Sequence, residues 1–531
     1  LTANYTKDFG NHSLTALVGY SYQQFNQESV YAGNEDFSTD GFLYNNLQAG
    51  AGTKPYVNSS ARKSALGSYF ARANYSYLGK YLLTVTVRAD GESNFHPDYR
   101  WGYFPSFSAG WRISEESFME STRHIIDNLK LRASYGTLGN INNVGNYDYF
   151  QNYGSRKISD VDAYYSFGDS PAKVIEETKP ANPSLNWEKV ALTDIGLDFD
   201  LWNGKLSGTA DYYIKNTSNI LLAYNVPLET GIANAPSQNV AKVRNRGFEF
   251  ALAHRNTIGD VSYMISANIA TNNNEITDLS SSNDIIKNLE NGHGVAKYIL
   301  REGESIGSFY GFKSDGLYTQ EEIDAGHYYT YGGVTPNAGD TKFIPQRKLN
   351  WGEEITDNDR MIIGCEVPDF TYGINLSVNY KNFEFSIFGQ GISGADVAFE
   401  VYQVHPFFHG QDNPRKYHMG RWTEANPNPH AIYPRIYTAS SPHTTYNRAF
   451  NDYHLFDADY FRFKTMTLGY NIPKNVVSRL GISSLKVYLT GENLFTIRAD
   501  KKMKDFDPEA TSSTVRALGS KSLAFGVNVS F

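Results

Sequence analysis

Large apolar residues alternate with small or polar ones along nearly the whole chain. Phe370, Tyr372, Ile374, Leu376, Val378 and Tyr380 share one face of an extended segment, and Thr371, Gly373, Asn375, Ser377, Asn379 and Lys381 share the other. Val261, Tyr263, Ile265, Ala267 and Ile269 repeat the pattern against Ser262, Ser266 and Asn268. A period of two marks a β-strand whose faces meet different surroundings. Ile195, Leu197, Phe199 and Leu201 stand behind Asp194, Gly196, Asp198 and Asp200. A face holding those aspartates needs water, while the face behind it is oily. The rhythm predicts about fifteen strands near 1–8, 14–26, 64–77, 80–90, 101–113, 128–138, 188–201, 205–216, 242–255, 260–272, 369–381, 383–395, 456–471, 484–497 and 518–531.

Their connections alternate between tight and long. Tight ones lie at 10–13, 78–79, 203–204, 257–259, 382 and 473–483, and long ones at 27–63, 91–100, 139–187, 217–241, 273–368, 396–455 and 498–517. The scheme puts 114–127 on the tight side, where Ser114-Glu115-Glu116 ahead of Phe118, Met119, Ile125 and Ile126 reads as a short capped helix. Strands long enough for a tilted crossing, with short turns at one end and long loops at the other, are the plan of an outer-membrane barrel. A sandwich or propeller has no reason to obey it. The expected fold class is all-β, a transmembrane antiparallel β-barrel.

Composition supports that plan and removes others. Aromatic residues are 15% of the 531, with 39 Tyr in the lead, and Tyr suits a boundary between oil and water. No run approaches the ~18 apolar residues of a spanning helix. The formal net charge is -8, without the basic excess of a nucleic-acid binder. A single cysteine, Cys365, excludes intrachain disulfides and multi-cysteine metal centres. Neither a nucleophile elbow nor a zinc-protease motif occurs, so no enzyme is expected. Gly389-Gln390-Gly391 reads as a bulge or small-residue position, not a phosphate loop, because nothing helical follows.

Several stretches then resemble one family, the SusC/RagA-type TonB-dependent transporters of Bacteroidetes outer membranes. They include Tyr81-Leu82-Leu83-Thr84-Val85-Thr86-Val87-Arg88-Ala89-Asp90-Gly91, Arg100-Trp101-Gly102-Tyr103-Phe104-Pro105, and Leu129-Lys130-Leu131-Arg132. Arg246-Gly247-Phe248-Glu249, Gly420-Arg421-Trp422-Thr423, Glu492-Asn493-Leu494-Phe495 and Asp507-Pro508-Glu509 follow in order. The resemblance implies a 22-strand barrel with a plug, a TonB-contacting segment and a SusD-like surface lipoprotein as partner. On that reading residues 1–531 are the C-terminal part of the barrel with its extracellular loops, and the plug and N-terminal strands are expected outside them. An odd strand count agrees, since it cannot close a bacterial barrel.

Candidate chemistry is sparse. Lumen-facing candidates are Arg88, Asp90, Asp194 and Asp198. Loop aromatics that could stack on a sugar ring or a partner are Tyr44, Tyr147, Tyr149, Phe407, Phe408, Trp422 and Tyr433. Segment 339–360 lies where family members often carry a calcium loop, but only Gly352, Ile355 and Asp359 echo it. Gln346, Arg347 and Lys348 intrude where carboxylates belong, so the reading is a solvated loop without metal and no cofactor. His405, His409, His418 and His430 cluster in one proline-rich loop and read as imidazoles facing a glycan or lipoprotein rather than as metal ligands. The expected activity is TonB-dependent import of a polar oligomer, glycan oligosaccharides first and peptides second. A binding or structural barrel that moves nothing is the rival class.

Overall fold

The alternation becomes antiparallel strands in a computed structural model of the chain. It describes every residue outside 42–45, 54–55, 143, 156, 159–160, 169, 224–236, 281–283, 289–296, 400–403, 408–412, 479–480 and 510–518. Fifteen long strands succeed one another among the described residues: β1 (Thr2–Phe9), β2 (His12–Gly33), β3 (Tyr56–Tyr77), β4 (Tyr81–Glu92), β5 (Trp101–Arg112), β6 (Ile126–Asn140), β7 (Glu188–Leu201), β8 (Leu206–Ala223), β9 (Ser237–Ile258), β10 (Val261–Thr271), β11 (Phe370–Tyr380), β12 (Phe383–Ser393), β13 (Tyr460–Asn471), β14 (Ser484–Arg498) and β15 (Ser522–Ser530). Short and long connections alternate at most junctions, but 113–125 and 472–483, on the short side, are each longer than 93–100 on the long side. Leu78 and Gly79, both at positive φ (56° and 67°), form the tight turn of the three-residue connection 78–80 between β3 and β4, closed by Lys80 N–H donating to the Tyr77 carbonyl at 3.0 Å.

The chain forms two compact units. One comprises Leu1–Trp111, Ala133–Thr193 and Asn216–Lys242. In it β1 to β5 pair in sequence, and the register sorts side chains cleanly by face. Val85 stands opposite Ala73 and Phe107, and Val87 opposite Ala71 and Pro105. On the reverse face, Thr84 donates to Asn74 at 3.0 Å and Arg72 donates to Thr86 at 3.2 Å. Leu83, Val87, Tyr103 and Phe107 lie exposed on the apolar face, each with about half or more of its surface open. Aromatics gather at both ends of that face, with Tyr77, Tyr81 and Trp111 by the turns and Tyr20, Tyr69, Trp101 and Tyr103 farther up. Two aromatic bands around an aliphatic one are the dress of a membrane-facing wall.

The other unit comprises Arg112–Arg132, Asp194–Lys215 and Val243–Phe531. Here β9 to β15 pair in sequence, so that Ile265, Leu376, Ile387 and Met466 form one cross-strand row. The register shifts where Phe388 and Gly389 face Thr465 and Phe463, so the extra residue of this bulge is Lys464 on β13, while Gly389-Gln390-Gly391 stays in regular register with β11 as a small-residue stretch. Past it, the ring of Phe461 would collide with any side chain at 389. The strip 113–125 is not a capped helix. It holds two 3-10 turns, Ile113–Glu115 and Ser117–Thr122, because Glu116 between them is extended (φ −74°, ψ 149°) and no side chain caps either.

Two long connections of this unit fold together. Segments Ile285–Asn288, Lys297–Leu300, Ser308–Gly311 and Met361–Cys365 form a four-stranded sheet. The helix α1 (Gln320–Asp324) starts at a Thr319–Glu322 capping box, and α2 (Pro442–Arg448) follows a proline at its first turn. Phe312, Phe343, Ile355 and Tyr446 bury one core between segments 273–368 and 396–455, and Phe309, Phe450 and Leu455 bury another. Asp340, fully buried, accepts from Asn337 N (2.8 Å), Asn447 Nδ2 (2.9 Å) and His443 Nδ1 (2.8 Å), tying the two segments through polar contacts as well.

Candidate functional site

The polar face of the strands draws its chemistry from charged residues spaced two apart. On β4, Arg88 donates to Asp90 in the same row at 2.8 Å and to Ser68 of β3 at 2.9 Å. In the second unit, β6 presents Asn128, Lys130 and Arg132 on one face, and β7 presents Asp194, Asp198 and Asp200. Arg132 donates to Asp194 at 2.9 Å and to Asp198 at 3.0 Å, and forms a third ion pair with Asp211 on β8. Lys130 reaches Asp198 at 3.3 Å, and Asn128 donates to Asp200 at 3.2 Å. Gly196 leaves room for this arrangement, since a Cβ there would meet the Asp211 carboxylate and the Arg132 guanidinium and make those side chains shift. Beside the cluster, an open trough of about 490 Å³ crosses β7 to β10, floored by Ser207, Thr209, Ala251 and Ala253 and rimmed by Asp200 and Asn268.

The four charged residues singled out by sequence therefore all lie on the polar face, Arg88 paired with Asp90, and Asp194 joined to Asp198 through Arg132. Arg132 and Asp211 were missed as site residues. The signal was available: strands with basic residues at one parity complement neighbours with acidic residues at the same parity.

A second constellation holds the segment after β14. Arg462 on β13, almost fully buried, donates to Asp507 and Glu509 at 2.9 Å each. Lys464 donates to Glu509 at 2.8 Å, and Gln390 and Tyr460 also donate to it. Burial raises the Glu509 carboxyl, but Lys464 and Arg462 outweigh that and hold it below the usual range. Asp507-Pro508-Glu509, known from sequence only as a matching motif, is thus a loop anchor. Arg462→Ala is expected to release 501–509, read as faster tryptic cleavage after Lys501, Lys502 or Lys504 at unchanged β-content. Unchanged cleavage would mean that Met503 and Phe506, buried beside Phe399 and Phe456, suffice to hold the segment.

The loop aromatics divide. Tyr147 and Phe407 are partly exposed, both at positive φ, and Tyr147 lies 6.2 Å from Tyr149 ring to ring. Tyr149, Trp422 and Tyr433 are buried, which corrects the expectation that they present rings to a sugar or partner. Trp422 packs with Leu317, Ala338 and Ala431, and Tyr433 meets His418 and Tyr417 edge-on. Their apolar area is spent inside the folded loops. Tyr44 and Phe408 lie outside the described residues, as does His409.

The histidines also correct an expectation. His405 and His418 do not face outward; both are buried, and only His430 of the described members of the cluster is exposed. His418 accepts from Arg415 N at 2.7 Å through Nδ1 and donates to the Val404 carbonyl at 3.0 Å through Nε2. His405 stands 4.4 Å, ring to ring, from buried His454, a residue not singled out from sequence. Burial holds all three neutral: His418 falls to about 4, His454 to about 3, and His405 well below its ordinary value. In the 339–360 segment, Arg347 donates to Asp359 at 3.1 Å with Nε, and the backbone N–H groups of Gln346, Arg347 and Thr356 also point at that carboxylate. Burial raises Asp359, but these donors outweigh it and hold it at about 2. A guanidinium sits where a cation would, and among the described residues no group of three or more His, Cys, Asp or Glu is placed to hold a metal.

Residues 1–494 match the family model described as TonB dependent receptor-like, beta-barrel. TonB-dependent receptor P3 of Formosa agariphila is 32% identical over 95% of this chain and 48% of its own. TonB-dependent receptor SusC of Bacteroides thetaiotaomicron is 28% identical over 96% of this chain and 47% of its own. The solved RagAB peptide transporter superposes with a TM-score of 0.80 at 23% identity, covering 100% of this chain and 55% of that one. The chain thus spans about half the length of the curated relatives it matches.

Proposed function

Because the chain belongs to the TonB-dependent receptor-like β-barrel family of the outer membrane, we propose that it forms the wall of a transporter importing a polar oligomer, with oligosaccharides as the first candidate. Import is driven through TonB, and a SusD-like surface lipoprotein covers the loop end. The observation that carries this reading is the two-faced wall: hydroxyls, amides and mutually paired charges on one face, uncovered aliphatic and aromatic side chains on the other. Many weak hydrogen-bonding positions along a wet wall let a polar oligomer advance without being trapped. Arg132 and Lys130 offset only part of the charge of Asp194, Asp198 and Asp211, so this stretch adds polarity with a small negative excess.

The full-length gene product should restore growth of a deletion strain on its oligosaccharide only when the TonB energiser works. Growth without the energiser would indicate passive diffusion, and rescue on peptides alone would replace the substrate class. A lipoprotein encoded beside the gene should co-purify with the tagged full-length protein. Segments 273–368 and 396–455 share their cores, so removing either should abolish that association. Import by a full-length protein that never carries a lipoprotein would refute the partner.

A further inference from the structure

The apolar face of β2 to β5 carries a hollow that simple alternation does not create. Two cross-strand rows bound it. Val18, Ala71, Val87 and Pro105 face one another in register along the lower row. Tyr69, Ala89 and Tyr103 make the upper row, two residues farther along each strand. The residues between the rows turn their side chains to the polar face, so backbone alone forms the floor. Rows two residues apart lie about 7 Å centre to centre, so a hydrocarbon chain fits between them only where their side chains are small.

Small residues at two positions open the hollow. Ala71 interrupts the lower row, and Ala89 leaves a gap in the upper aromatic band between Tyr69 and Tyr103. Trp101 stacks on Tyr69 with ring centres 6.0 Å apart and covers Gly91, roofing the gap. The resulting niche measures about 590 Å³, and its lining is almost wholly apolar. Tyr69 and Tyr103 are 57% and 66% exposed, so its walls stand free of protein.

Place and chemistry then select the occupant. The upper row is eight residues above the Tyr77–Tyr81 pair that closes the β3–β4 turn. At about 3.4 Å per residue and a tilt near 45°, that is roughly 20 Å up the wall, in the leaflet away from the tight turns. The niche is continuous with the lipid-facing belt, and apart from the hydroxyls of Tyr69 and Tyr103 its side-chain walls offer nothing to orient a polar ligand. We propose that it seats one acyl chain of a bilayer lipid from the leaflet on the loop side, with the headgroup above Trp101. The seat depends on the apolar face meeting lipid and is independent of what the transporter carries.

The test uses full-length protein in nanodiscs of phosphatidylethanolamine in which a rising fraction carries brominated acyl chains. Quenching of Trp101 is isolated by subtracting the Trp101→Phe protein. A seated chain in wild type should quench Trp101 at a lower brominated fraction than in Ala71→Leu/Ala89→Leu, which fills the niche. Ala73→Leu, one position below on the same face, should behave as wild type, and retained heat-modifiability reports that each variant is folded. Native mass spectrometry of the same proteins should show one retained lipid, lost in the filled variant. Superimposable quenching curves for wild type and the filled variant would overturn the proposal. So would a retained mass belonging to a lipoprotein's acylated terminus or to a second copy of the chain.

Discussion

Val85→Arg is expected to cost the folded wall about 2–4 kcal/mol, whereas Thr86→Arg, one residue on, should cost about 1 kcal/mol or less. Val85 lies between Ala73 and Phe107 on the apolar face, midway between the two aromatic bands. An arginine there loses hydration at the depth where lipid offers no partner. Thr86 shares its face with Arg72 and Ser106, and an arginine added there remains in water beside hydroxyls. Urea titration of both variants refolded into vesicles measures the difference. Equal costs would mean that the two faces have been assigned wrongly.

Acidification from pH 7 to 5 should loosen the folded loops before it affects the wall. His405, His418 and His454 are held neutral in the folded state, while an unfolded chain takes up protons near pH 6.5. Above that pH neither state is protonated and nothing is lost. Below it only the unfolded state gains protons, so stability falls by about 1.4 kcal/mol per pH unit for each histidine. The loss continues until the folded groups titrate, at about 4 for His418 and about 3 for His454. Asp396 and Asp457, whose carboxyls burial pushes up, act in the opposite sense over the lower part of the window. Hydrogen exchange of segments 304–368 and 413–459 should therefore accelerate as pH falls, after correction for intrinsic rates. His454→Gln should flatten that dependence by one histidine's share; an unchanged slope would show that His454 is not held neutral.

Much of the wall was legible because a membrane-spanning strand repeats one rule over ten residues. Tyr372 to Tyr380 and Leu523 to Val529 state it without exception, but the bulge falls at Lys464 on the strand facing Gly389, where no glycine marks it. The strands β2 and β3, 22 residues each, were read as 14–26 and 64–77, about three-fifths of that length. Beyond Tyr22 and below Leu66 they leave the apolar belt, so no face needs to be oily and the period vanishes into Gln, Asn, Ser and Lys. The folded loops were opaque for another reason. Trp422 and Tyr433 carry the same composition whether they face a ligand or pack a core, and the residues that bury them lie far off in sequence, as Leu317 does from Trp422. The charged site was half legible. Its aspartates needed water, which alternation could say; that Arg132 would gather them across 62 to 66 residues required knowing which strands meet.

Gly196 has a meaning for how this wall can change over generations. A side chain there makes the Arg132 and Asp211 side chains shift, and loss of Arg132 strands three carboxylates together. The effects of substitutions at 132, 194, 196, 198 and 211 cannot add, because each residue's value depends on the others. Change is easiest in one order: an aspartate neutralised before the arginine goes, and Asp211 and Arg132 shortened or turned aside before position 196 gains a side chain. Lineages that altered the cluster should therefore retain glycine at 196 long after the charges around it have drifted, a fossil of an arrangement no longer present.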